Sequence, residues 1–533
     1  MIVDLNDVPA DQRFEADVCV VGAGAAGVVL ARQLMRQGNT VCLLEAGGFD
    51  FEADTQDLFR GENRGMSYYD LVDSRLRFFG GTTNIWGGRC ALLDPVDFRR
   101  RTWVPHSGWP IDASDLEPYY QLVHEELGLG EVCYDDRLWS EIGEAAPAFD
   151  PERFATRFWR FDDLKERFSA QRSDDVLRSD KVQVLLHANL THIQATANAA
   201  SVEHVKVQSL QGVSALVSAR HFVLAGGGIE NARMLLVSND VEANGIGNRH
   251  DQVGRYFMEH PHGRAGKLTG DGAYALWAAF RKRFRNGKPD LAPVLVPSEV
   301  AQEREGILNT ALTLKAQRNP ERGVPLSRQA YQSLKHSMAP TRRGRGLWHF
   351  YRAARNIPAR TLRPSVGWAR NKLGLAGIYF MIRAEQAPNP DSRVTLSPER
   401  DALGVARADL RWQLSAIDKH TIRSLVDMLD AELSRLGIGT VHGSAWLEDP
   451  GNEWPVDGTV GNHPIGGYHH MGATRMAEDP RTGVVDGNCK VHGYSNLHIA
   501  GSSVFATAGW ANPTLTILAL AQRLGDHLHK ALP

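Results

Sequence analysis

Cysteines are scarce in this sequence, and they follow no pattern that predicts a disulfide framework or a metal site. Five occur among 533 residues, an odd number, and no two of them form a Cys-x-x-Cys pair. Zinc knuckles, dithiol redox sites and disulfide scaffolds therefore have no support. We expect the cysteines to be small buried hydrophobic side chains; they are Cys19, Cys42, Cys90, Cys133 and Cys489.

Long apolar runs are absent as well. With glycine counted as apolar, the longest uncharged run covers residues 18–31, which falls short of the roughly 18 to 20 residues that a membrane helix needs. The first 15 residues carry four acidic side chains and no apolar core segment, so they lack the pattern of a secretory signal. These features favour a soluble, cytoplasmic protein.

An excess of one charge is missing too, because 60 Lys and Arg residues face 62 Asp and Glu residues. With 43% hydrophobic residues, the composition is that of a globular protein and excludes a disordered or collagen-like chain. The length corresponds to two to four domains of about 150 residues. A near-neutral chain without a recognised binding motif is not expected to bind nucleic acid.

The amino-terminal region has the pattern of a dinucleotide-binding unit. An apolar run at 18–21 leads into the sequence GAGAAG at 22–27 and then into a helical pattern. A second apolar run at 41–44 follows and ends on Glu45. This order predicts a strand, a glycine-rich turn, a helix and a second, parallel strand.

Each glycine of this turn has a separate physical role. Gly22 permits the tight turn, Gly24 lets the backbone approach a pyrophosphate, and Gly27 allows the helix to pack closely on the strand. The helix N-terminus presents N–H groups to the anion, and Glu45 is placed to accept hydrogen bonds from a ribose diol. The motif alone does not distinguish NAD from FAD.

Three further glycine-containing segments recur along the chain. They are FFGGTTNIWGGRC at 78–90, a strand pattern with three glycines and a helix opening near Glu230 at 221–236, and a carboxy-terminal part from about 461 that contains YHHMGATRM, LHIAG and ANPTLTIL. Between about 264 and 375 this pattern stops and arginine becomes frequent. One domain is therefore predicted to consist of separated segments, and a second domain of the insertions between them.

In order and combination, these segments resemble the glucose–methanol–choline (GMC) oxidoreductases, a family of FAD-dependent alcohol oxidases and dehydrogenases. The resemblance includes GRYFMEHP at 254–261 and covers most of the chain outside about 265–375. It implies an α/β fold with a Rossmann-like FAD-binding domain and an interleaved α+β substrate-binding domain that contains a mostly antiparallel sheet. The implied ranges are 1–110, 180–263 and 455–533 for FAD binding, and 111–179 and 264–454 for substrate binding.

The same resemblance implies the residues that bind FAD. The loop 78–88 would line the reactive face of the flavin, with Asn84 able to bond its polar edge. In covalent pyranose oxidases a histidine precedes the tryptophan and bonds to the flavin, whereas Ile85 precedes Trp86 here, so we expect non-covalent FAD. The implied contacts are Gly22, Gly24, Ala25, Ala26, Gly27, Glu45, Ala46, Gly80, Gly81, Thr82, Asn84, Trp86, Gly87, Gly88, Leu190, Ala225, Gly226, Gly501, Ser502, Asn512, Pro513 and Thr514.

His469, which opens the pattern H-x-x-G-x-x-R-M at 469–476, matches the active-site histidine of the family, and Asn512 matches its partner. A histidine near neutral pKa can accept the hydroxyl proton while hydride moves to flavin N5. Asn512 can bond the same oxygen without competing for the proton. Pro513 suits the first turn of the next helix, whose N-terminus would favour negative charge on the reduced flavin.

Other polar residues are weaker candidates for the site. Glu385 and Gln386 open the segment EQAPNPDSRVTL, which is predicted to be a strand whose polar side chains reach ring hydroxyls. Trp510 could stack on a sugar ring or only pack, and His470 is expected to be a packed or substrate-facing neighbour of the base. Clustered histidines could instead bind zinc, but no cysteine or carboxylate pattern accompanies them, so no metal is expected. The weak substrate candidates are Gln386, Trp510, His260 and His470.

The neutral total conceals a basic segment. Residues 322–384 contain 13 Lys and Arg and no Asp or Glu, so the rest of the chain holds 47 basic and 62 acidic residues, a net charge of -15. A basic amphipathic helix could bind a membrane surface, an acidic redox partner or a second subunit. We favour a solvated arm paired with acidic residues of its own chain. The helical spacing is that of Leu347, Phe350, Tyr351 and Ala354, with Arg352 and Arg355 interleaved.

These observations predict an FAD-dependent enzyme that oxidises a secondary hydroxyl of a sugar or glycoside to a ketone. The segment 78–88 looks most like the bacterial pyranose oxidase and glycoside 3-oxidase-like branch of the family, and the electron acceptor would be oxygen or another molecule. One alternative is the same chemistry on an aromatic or aliphatic alcohol. A second is a non-catalytic flavoprotein that serves as an interaction module, against which the presence of both His469 and Asn512 argues.

Overall fold

A computed structural model describes residues 1–164, 166–319, 323–324, 341–347, 350, 354, 368–369, 372–374, 376–461 and 463–532. The strands are β1 Ile2–Asp4, β2 Gln12–Val21, β3 Val41–Leu44, β4 Arg89–Cys90, β5 Phe154–Phe161, β6 Val182–Leu186, β7 Asn189–Ala195, β8 Val202–Gln208, β9 Ser214–Leu224, β10 His262–Thr269, β11 Leu291–Pro297, β12 Ala311–Gln317, β13 Gly377–Arg383, β14 Arg393–Arg400, β15 Ala406–Arg411, β16 Thr440–Gly443 and β17 Leu497–Ile499. The helices are α1 Ala25–Arg36, α2 Ala53–Asp57, α3 Pro95–Phe98, α4 Glu117–Leu127, α5 Leu138–Glu141, α6 Asp174–Leu177, α7 Glu230–Val237, α8 Ala273–Ala279, α9 Glu299–Glu305, α10 Ala416–Arg435 and α11 Thr514–Ala531.

The first sheet is mainly parallel and has the strand order β1-β6-β3-β2-β9-β8-β7, with β17 paired to β9. Its pairs from β1 to β9, and the pair of β9 with β17, are parallel, whereas β8 and β7 extend it in antiparallel fashion. The apolar runs of β2 and β3 are almost entirely buried, as expected for strands inside a parallel sheet. The predicted strand, turn, helix and parallel strand between residues 18 and 45 are confirmed.

The second sheet is antiparallel, in the order β16-β10-β13-β12-β11-β5-β4. Its strands come from the predicted insertions, apart from β4 and the first two residues of β10. The first sheet is built wholly from the segments assigned to FAD binding. The predicted fold class, a Rossmann-like domain interleaved with a domain carrying an antiparallel sheet, is confirmed, while the exact domain boundaries stay a proposal.

Helix α4 bears on one of those boundaries. It lies in the range assigned to substrate binding, but Glu126 pairs with Arg32 of α1 at 2.5 Å and Tyr120 Oη lies 2.9 Å from Thr516 Oγ1 of α11. Both contacts are with helices next to the nucleotide-binding turn. We therefore propose that the first domain extends through α4 and not only to residue 110.

The segment 385–396 differs from its prediction. β13 ends at Arg383 and β14 begins at Arg393, so the intervening residues form a loop and not a strand. Pro388 and Pro390 lack the backbone N–H that strand pairing uses, which accounts for the interruption. The strand prediction was wrong for residues 385–392.

The prediction of an arm over 322–384 was wrong for its last part, because residues 377–383 form β13 inside the second sheet. Nearer its start, the basic segment contacts the body of the protein at Arg345. This side chain is buried, and its guanidinium donates to Asp50 at 2.8 Å and to Glu166 at 2.9 Å. That pairing agrees, at this position, with an arm held by acidic residues of its own chain. Other residues of the predicted amphipathic helix lie outside the described residues; they are Tyr351, Arg352 and Arg355.

Two further predictions concern the cysteines and membrane-spanning segments. All five cysteines are buried and unpaired with one another, as expected for small hydrophobic side chains. Over the part of the chain that the structure describes, no helix combines the length and the apolar character needed to cross a membrane.

Candidate active site

The turn between β2 and α1 is built as the glycine pattern predicts. Gly22 has a φ of +109°, and a Cβ there would lie 2.6 Å from the carbonyl oxygen of Ala225. A Cβ on Gly27 would lie 1.9 Å from the carbonyl oxygen of Gly22, so helix and turn touch through this glycine. Gly24 faces open space, and no side chain caps α1 there. The first-turn N–H groups of α1 are therefore placed to bind an anion such as a pyrophosphate.

Glu45 lies beside this turn and is buried. Its carboxylate accepts hydrogen bonds from the N–H groups of Ala23 and Gly47, each at 3.1 Å. Burial raises the pKa of Glu45, and the backbone N–H groups oppose the rise. Since an ionised carboxylate offers about four acceptor positions, Glu45 can also accept bonds from a ribose diol.

A cavity of about 1400 Å³ extends from this turn to the second sheet. It exceeds the roughly 300 to 1,000 Å³ of a site for one drug-sized ligand, so a cofactor and a substrate can share it. The N-terminus of α11, at Pro513, also opens on the cavity without a side-chain cap. Two uncapped helix ends and Glu45 fit a cofactor with a diphosphate, a ribose and an electron-accepting ring. The implied FAD contacts on its wall are Gly22, Gly24, Ala25, Ala26, Glu45, Ala46, Gly81, Thr82, Trp86, Gly87, Leu190, Ala225, Gly226, Gly501, Ser502, Asn512, Pro513 and Thr514.

Four implied FAD contacts lie behind the wall and shape it. Asn84 is buried and donates from Nδ2 to the carbonyl oxygens of Phe79 at 2.9 Å and Gly81 at 3.1 Å. Its amide therefore stabilises the loop, which corrects the expectation that it bonds the flavin edge. A Cβ on Gly88 would lie 2.3 Å from the carbonyl oxygen of Asp162. The four residues are Gly27, Gly80, Asn84 and Gly88.

The loop after Gly466 and the start of α11 bring His469 and Asn512 together, as the motifs predict. Asn512 Nδ2 lies 3.2 Å from His469 Nε2, and both residues line the cavity. On its other side, His469 Nδ1 lies 2.7 Å from Nδ1 of His260. His260 Nε2 in turn lies 2.8 Å from the carbonyl oxygen of Gly509. The result is a chain of hydrogen bonds that runs from the protein interior to the cavity.

These hydrogen bonds assign the tautomers of both histidines. A carbonyl oxygen only accepts, so His260 carries its proton on Nε2 and presents an unprotonated Nδ1. His469 must then donate from Nδ1, and its Nε2 is left with a lone pair. The Asn512 amide donates to that lone pair. His469 therefore faces the cavity as a neutral base.

Burial keeps this base neutral. Desolvation, followed by the neighbouring His260 and Arg383, lowers the pKa of His469 well below its usual value. Burial also lowers the pKa of His260 to about 4. Both rings are therefore uncharged at neutral pH. Within the described ranges, no group of three or more His, Cys, Asp and Glu side chains is arranged to hold a metal ion.

Glu259 fixes the loop that carries the base, a role that the motif GRYFMEHP signalled without specifying. Its buried carboxylate accepts from the N–H groups of His260 at 2.7 Å and of Gly467 and His469 at 3.0 Å. Tyr68 Oη donates to it at 2.6 Å. Burial raises the pKa of Glu259, and these four donors oppose the rise. One carboxylate thus holds together the two segments that supply the histidines.

The weak substrate candidates have other partners. Gln386 is fully buried away from the cavity wall, with Oε1 accepting from Glu259 N at 2.9 Å and from Trp412 Nε1 at 2.8 Å. Trp510 packs behind the wall and donates from Nε1 to Asp94 at 2.8 Å. Of its two alternatives, packing is the one that the structure supports. Neither residue lines the cavity in which a substrate would bind.

The two remaining candidates are histidines. Both ring nitrogens of His260 have protein partners, His469 and Gly509, and His260 does not line the cavity, so its position is that of a support for the base. His470 is on the wall, but its Nε2 lies 3.0 Å from Tyr68 Oη and burial lowers its pKa to about 3. It is a packed neighbour of the base.

Comparisons with known proteins agree with this architecture. The family model described as GMC oxidoreductase matches residues 388–521, and the one described as FAD dependent oxidoreductase matches residues 17–242. Fructose dehydrogenase large subunit of Gluconobacter japonicus is 23% identical over 97% of this chain and 98% of its own. Paromamine 6'-oxidase of Streptomyces fradiae is 26% identical over 95% of this chain and 90% of its own. Formate oxidase of Aspergillus oryzae shares the fold, with a TM-score of 0.53 at 15% identity over 99% of this chain and all of that chain.

Proposed function

We propose that the chain is a GMC-type, FAD-dependent oxidoreductase that oxidises a secondary hydroxyl of a sugar or glycoside to a ketone, since residues 388–521 match the GMC oxidoreductase model and residues 17–242 match the FAD dependent oxidoreductase model. The observation that carries the proposal is the 3.2 Å contact on the cavity wall between the Asn512 amide and His469 Nε2, the nitrogen to which the hydrogen-bond network assigns a lone pair. A lone pair beside a hydrogen-bond donor matches what a hydroxyl needs in order to lose its proton.

Bound FAD supplies the acceptor for the hydride that leaves the carbinol carbon. The substrate hydroxyl displaces the Asn512 amide from the lone pair of His469 Nε2, which accepts the hydroxyl proton, and Asn512 Nδ2 donates to the oxygen as negative charge develops on it. His260 Nδ1 accepts a hydrogen bond from the Nδ1–H of His469, which holds the ring in its productive tautomer. The uncapped N-terminus of α11 favours negative charge at its end of the cavity.

A carbohydrate is supported by the cavity wall and by the relatives. The wall near the second sheet contains polar side chains able to bond several hydroxyls, and two relatives that match over most of their length are named for fructose and paromamine. The polar side chains are Thr313, Gln317, Thr459 and His463. Aromatic side chains on the same wall favour an aromatic or aliphatic alcohol as the second candidate; they are Trp159, Phe161, Trp277, Phe280 and Phe284.

An anaerobic substrate screen tests the proposal. Sugars, glycosides and simple aromatic and aliphatic alcohols are mixed with the FAD-loaded enzyme, and bleaching of the visible flavin absorbance is followed. We expect a sugar or glycoside to reduce the flavin and to yield a ketone, and later mixing with oxygen tests whether oxygen is the acceptor. Bleaching by simple alcohols alone would replace the carbohydrate proposal with the second candidate.

His469→Ala is the matched variant for the base. We expect it to bind FAD normally and to lose flavin reduction by at least about a hundredfold, because general base catalysis contributes roughly 10² to 10⁴. His250→Ala, at an exposed histidine, is the control and should reduce at the wild-type rate. Rapid reduction in His469→Ala would refute the assignment of the base.

A further inference from the structure

Carboxylates and cations are unevenly distributed around the cavity. Among the described residues of its wall, the only carboxylates are Glu45 and Glu230. Both belong to the nucleotide end, where Glu230 lies 3.2 Å from Arg75 and 3.6 Å from Arg77. The wall formed by the second sheet carries cationic side chains and none of the described carboxylates; the cations are Arg89, Arg281, Lys282, Lys315, Arg318 and Arg383.

Arg383 is the cation of this wall next to the catalytic base. It ends β13, and its charge is among the causes that lower the pKa of His469. Its Nη1 contacts His262 Nε2. His262 Nδ1 lies 2.8 Å from the carbonyl oxygen of His463, so His262 carries its proton there and accepts from Arg383 as a neutral ring. Within the described ranges no carboxylate forms an ion pair with Arg383.

A half-buried guanidinium without an ion-paired carboxylate is electrostatically unfavourable. Burial and the nearby charge of Arg89 lower the pKa of Arg383, while Tyr69 and the Glu259 carboxylate oppose this, and an arginine side chain stays protonated in proteins. Its charge is partly removed from water, and Glu259 compensates only at a distance, since no carboxylate among the described residues pairs with Arg383 directly. An anion that entered the cavity would supply that compensation beside His469.

Neighbouring cations extend the positive region. The guanidinium of Arg383 lies 5.9 Å from the ring centroid of Trp159, and that of Arg89 lies 5.1 Å from the same ring. Lys282 Nζ lies 3.5 Å from the ring of Phe161, although Asp290 pairs with this ammonium at 2.8 Å. The segment 322–384 contains no Asp or Glu, so it offers no carboxylate to neutralise this wall.

We propose that the alcohol substrate carries an oxyanion group, a carboxylate or a phosphate, which binds Arg383 while the reacting hydroxyl lies at His469. The planar guanidinium offers paired N–H donors that match either oxyanion. Sugar acids and sugar phosphates combine such a group with ring hydroxyls. This inference rests on the proposed function, because it specifies the substrate of the same site.

The test compares matched neutral and anionic probes on the FAD-loaded enzyme. Acetate and inorganic phosphate are titrated first while the flavin absorbance spectrum is recorded, which reports binding without turnover. Glucose, glucuronate and glucose 6-phosphate are then compared as substrates or as competitors. We expect at least one anion to perturb the flavin spectrum, and the anionic sugars to bind at least about tenfold more tightly than glucose. The sugar acid and the sugar phosphate distinguish a carboxylate from a phosphate.

Arg383→Gln should abolish this preference and leave binding of the neutral probe within about twofold. Arg383→Lys keeps the charge and should retain part of the preference, so it covers the case in which the glutamine variant folds poorly. Arg481→Gln, at an exposed pair with Asp479, is the control for loss of a cation.

Three results would overturn the inference. The first is the absence of any response to acetate, phosphate or the anionic sugars. The second is an equal affinity for neutral and anionic probes. The third is a loss of affinity in Arg383→Gln that is the same for neutral and anionic probes. The last result would mean that Arg383 serves the flavin itself. Failure of the proposed function is distinguishable, because the flavin would then resist reduction by every alcohol while anion binding could still be measured.

Discussion

At the scale of single residues, the sequence motifs identify the reacting groups, but the structure supplies their protonation. His469 and Asn512 follow from motif spacing, whereas His260 is adjacent to neither in sequence and its role depends on a contact with the carbonyl oxygen of Gly509. A tautomer is set by such partners and not by composition. His260 was therefore expected at the substrate and instead lies behind the base.

Replacing His260 by phenylalanine tests this positioning role. We expect flavin reduction to slow by roughly ten- to a hundredfold with FAD still bound, by analogy with the partners that orient metal-bound histidines, whose loss costs about that factor. The neighbour His260 lowers the pKa of His469, so its removal raises that pKa. Activity depends on the neutral ring and is lost as pH falls through the pKa, so the acid limb of the pH–rate profile should move to higher pH.

The conservative variant His260→Gln provides the control, because its amide can donate to Gly509 and accept from His469. It should recover part of the reduction rate and shift the acid limb less. An unshifted pH profile in His260→Phe, with a rate loss explained by lost FAD, would mean that His260 is only part of the packing.

At the scale of elements, regular patterns were predictable and buried polar loops were not. The apolar runs around GAGAAG correctly predict β2, α1 and β3 because side-chain periodicity carries that information. The segment after β13 reads as polar and extended, yet Glu385 is fully buried and takes a bidentate pair from Arg101 at 2.8 and 2.5 Å. The partner lies 284 residues away along the chain, so no local pattern predicts the pair.

Glu385→Gln tests the structural reading of this loop. Breaking one partner of a buried ion pair leaves an uncompensated charge, so we expect a loss of about 3 to 5 kcal/mol in the free energy of unfolding. Chemical denaturation followed by circular dichroism measures the loss. Asp479→Asn, at an exposed pair, should leave stability nearly unchanged, and an equally stable Glu385→Gln protein would argue against the pair as a structural element.

At the scale of the whole molecule, the near-neutral charge averages over regions that differ. The basic wall of the cavity draws on residues as far apart in sequence as Arg89, Arg281 and Arg383, which converge only when the second sheet and the loops beside it form. Composition therefore could not predict it. It was predictable that each sheet is built from segments separated in sequence, because segments with the FAD-binding pattern lie before and after each insertion.

The mode of cofactor retention is also a property of the assembled molecule. Ile85 lies on the cavity wall next to Trp86, where a histidine would be needed for a covalent bond to the flavin. We expect FAD to be held by the enclosing cavity alone. Acid precipitation or guanidinium denaturation followed by filtration should place all of the flavin in the filtrate, whereas flavin that stays with the denatured protein would contradict this expectation.

The anchoring of the histidine loop by Glu259 has an evolutionary consequence. Glu259 binds main-chain N–H groups, which every amino acid except proline provides, so it constrains the path of the loop more than its side chains. A Cβ on Gly466 would lie 2.5 Å from Glu259, whereas Tyr468 presents its side chain to the cavity. Substrate preference can therefore diverge among descendants of this enzyme through position 468 while the catalytic histidine keeps its place.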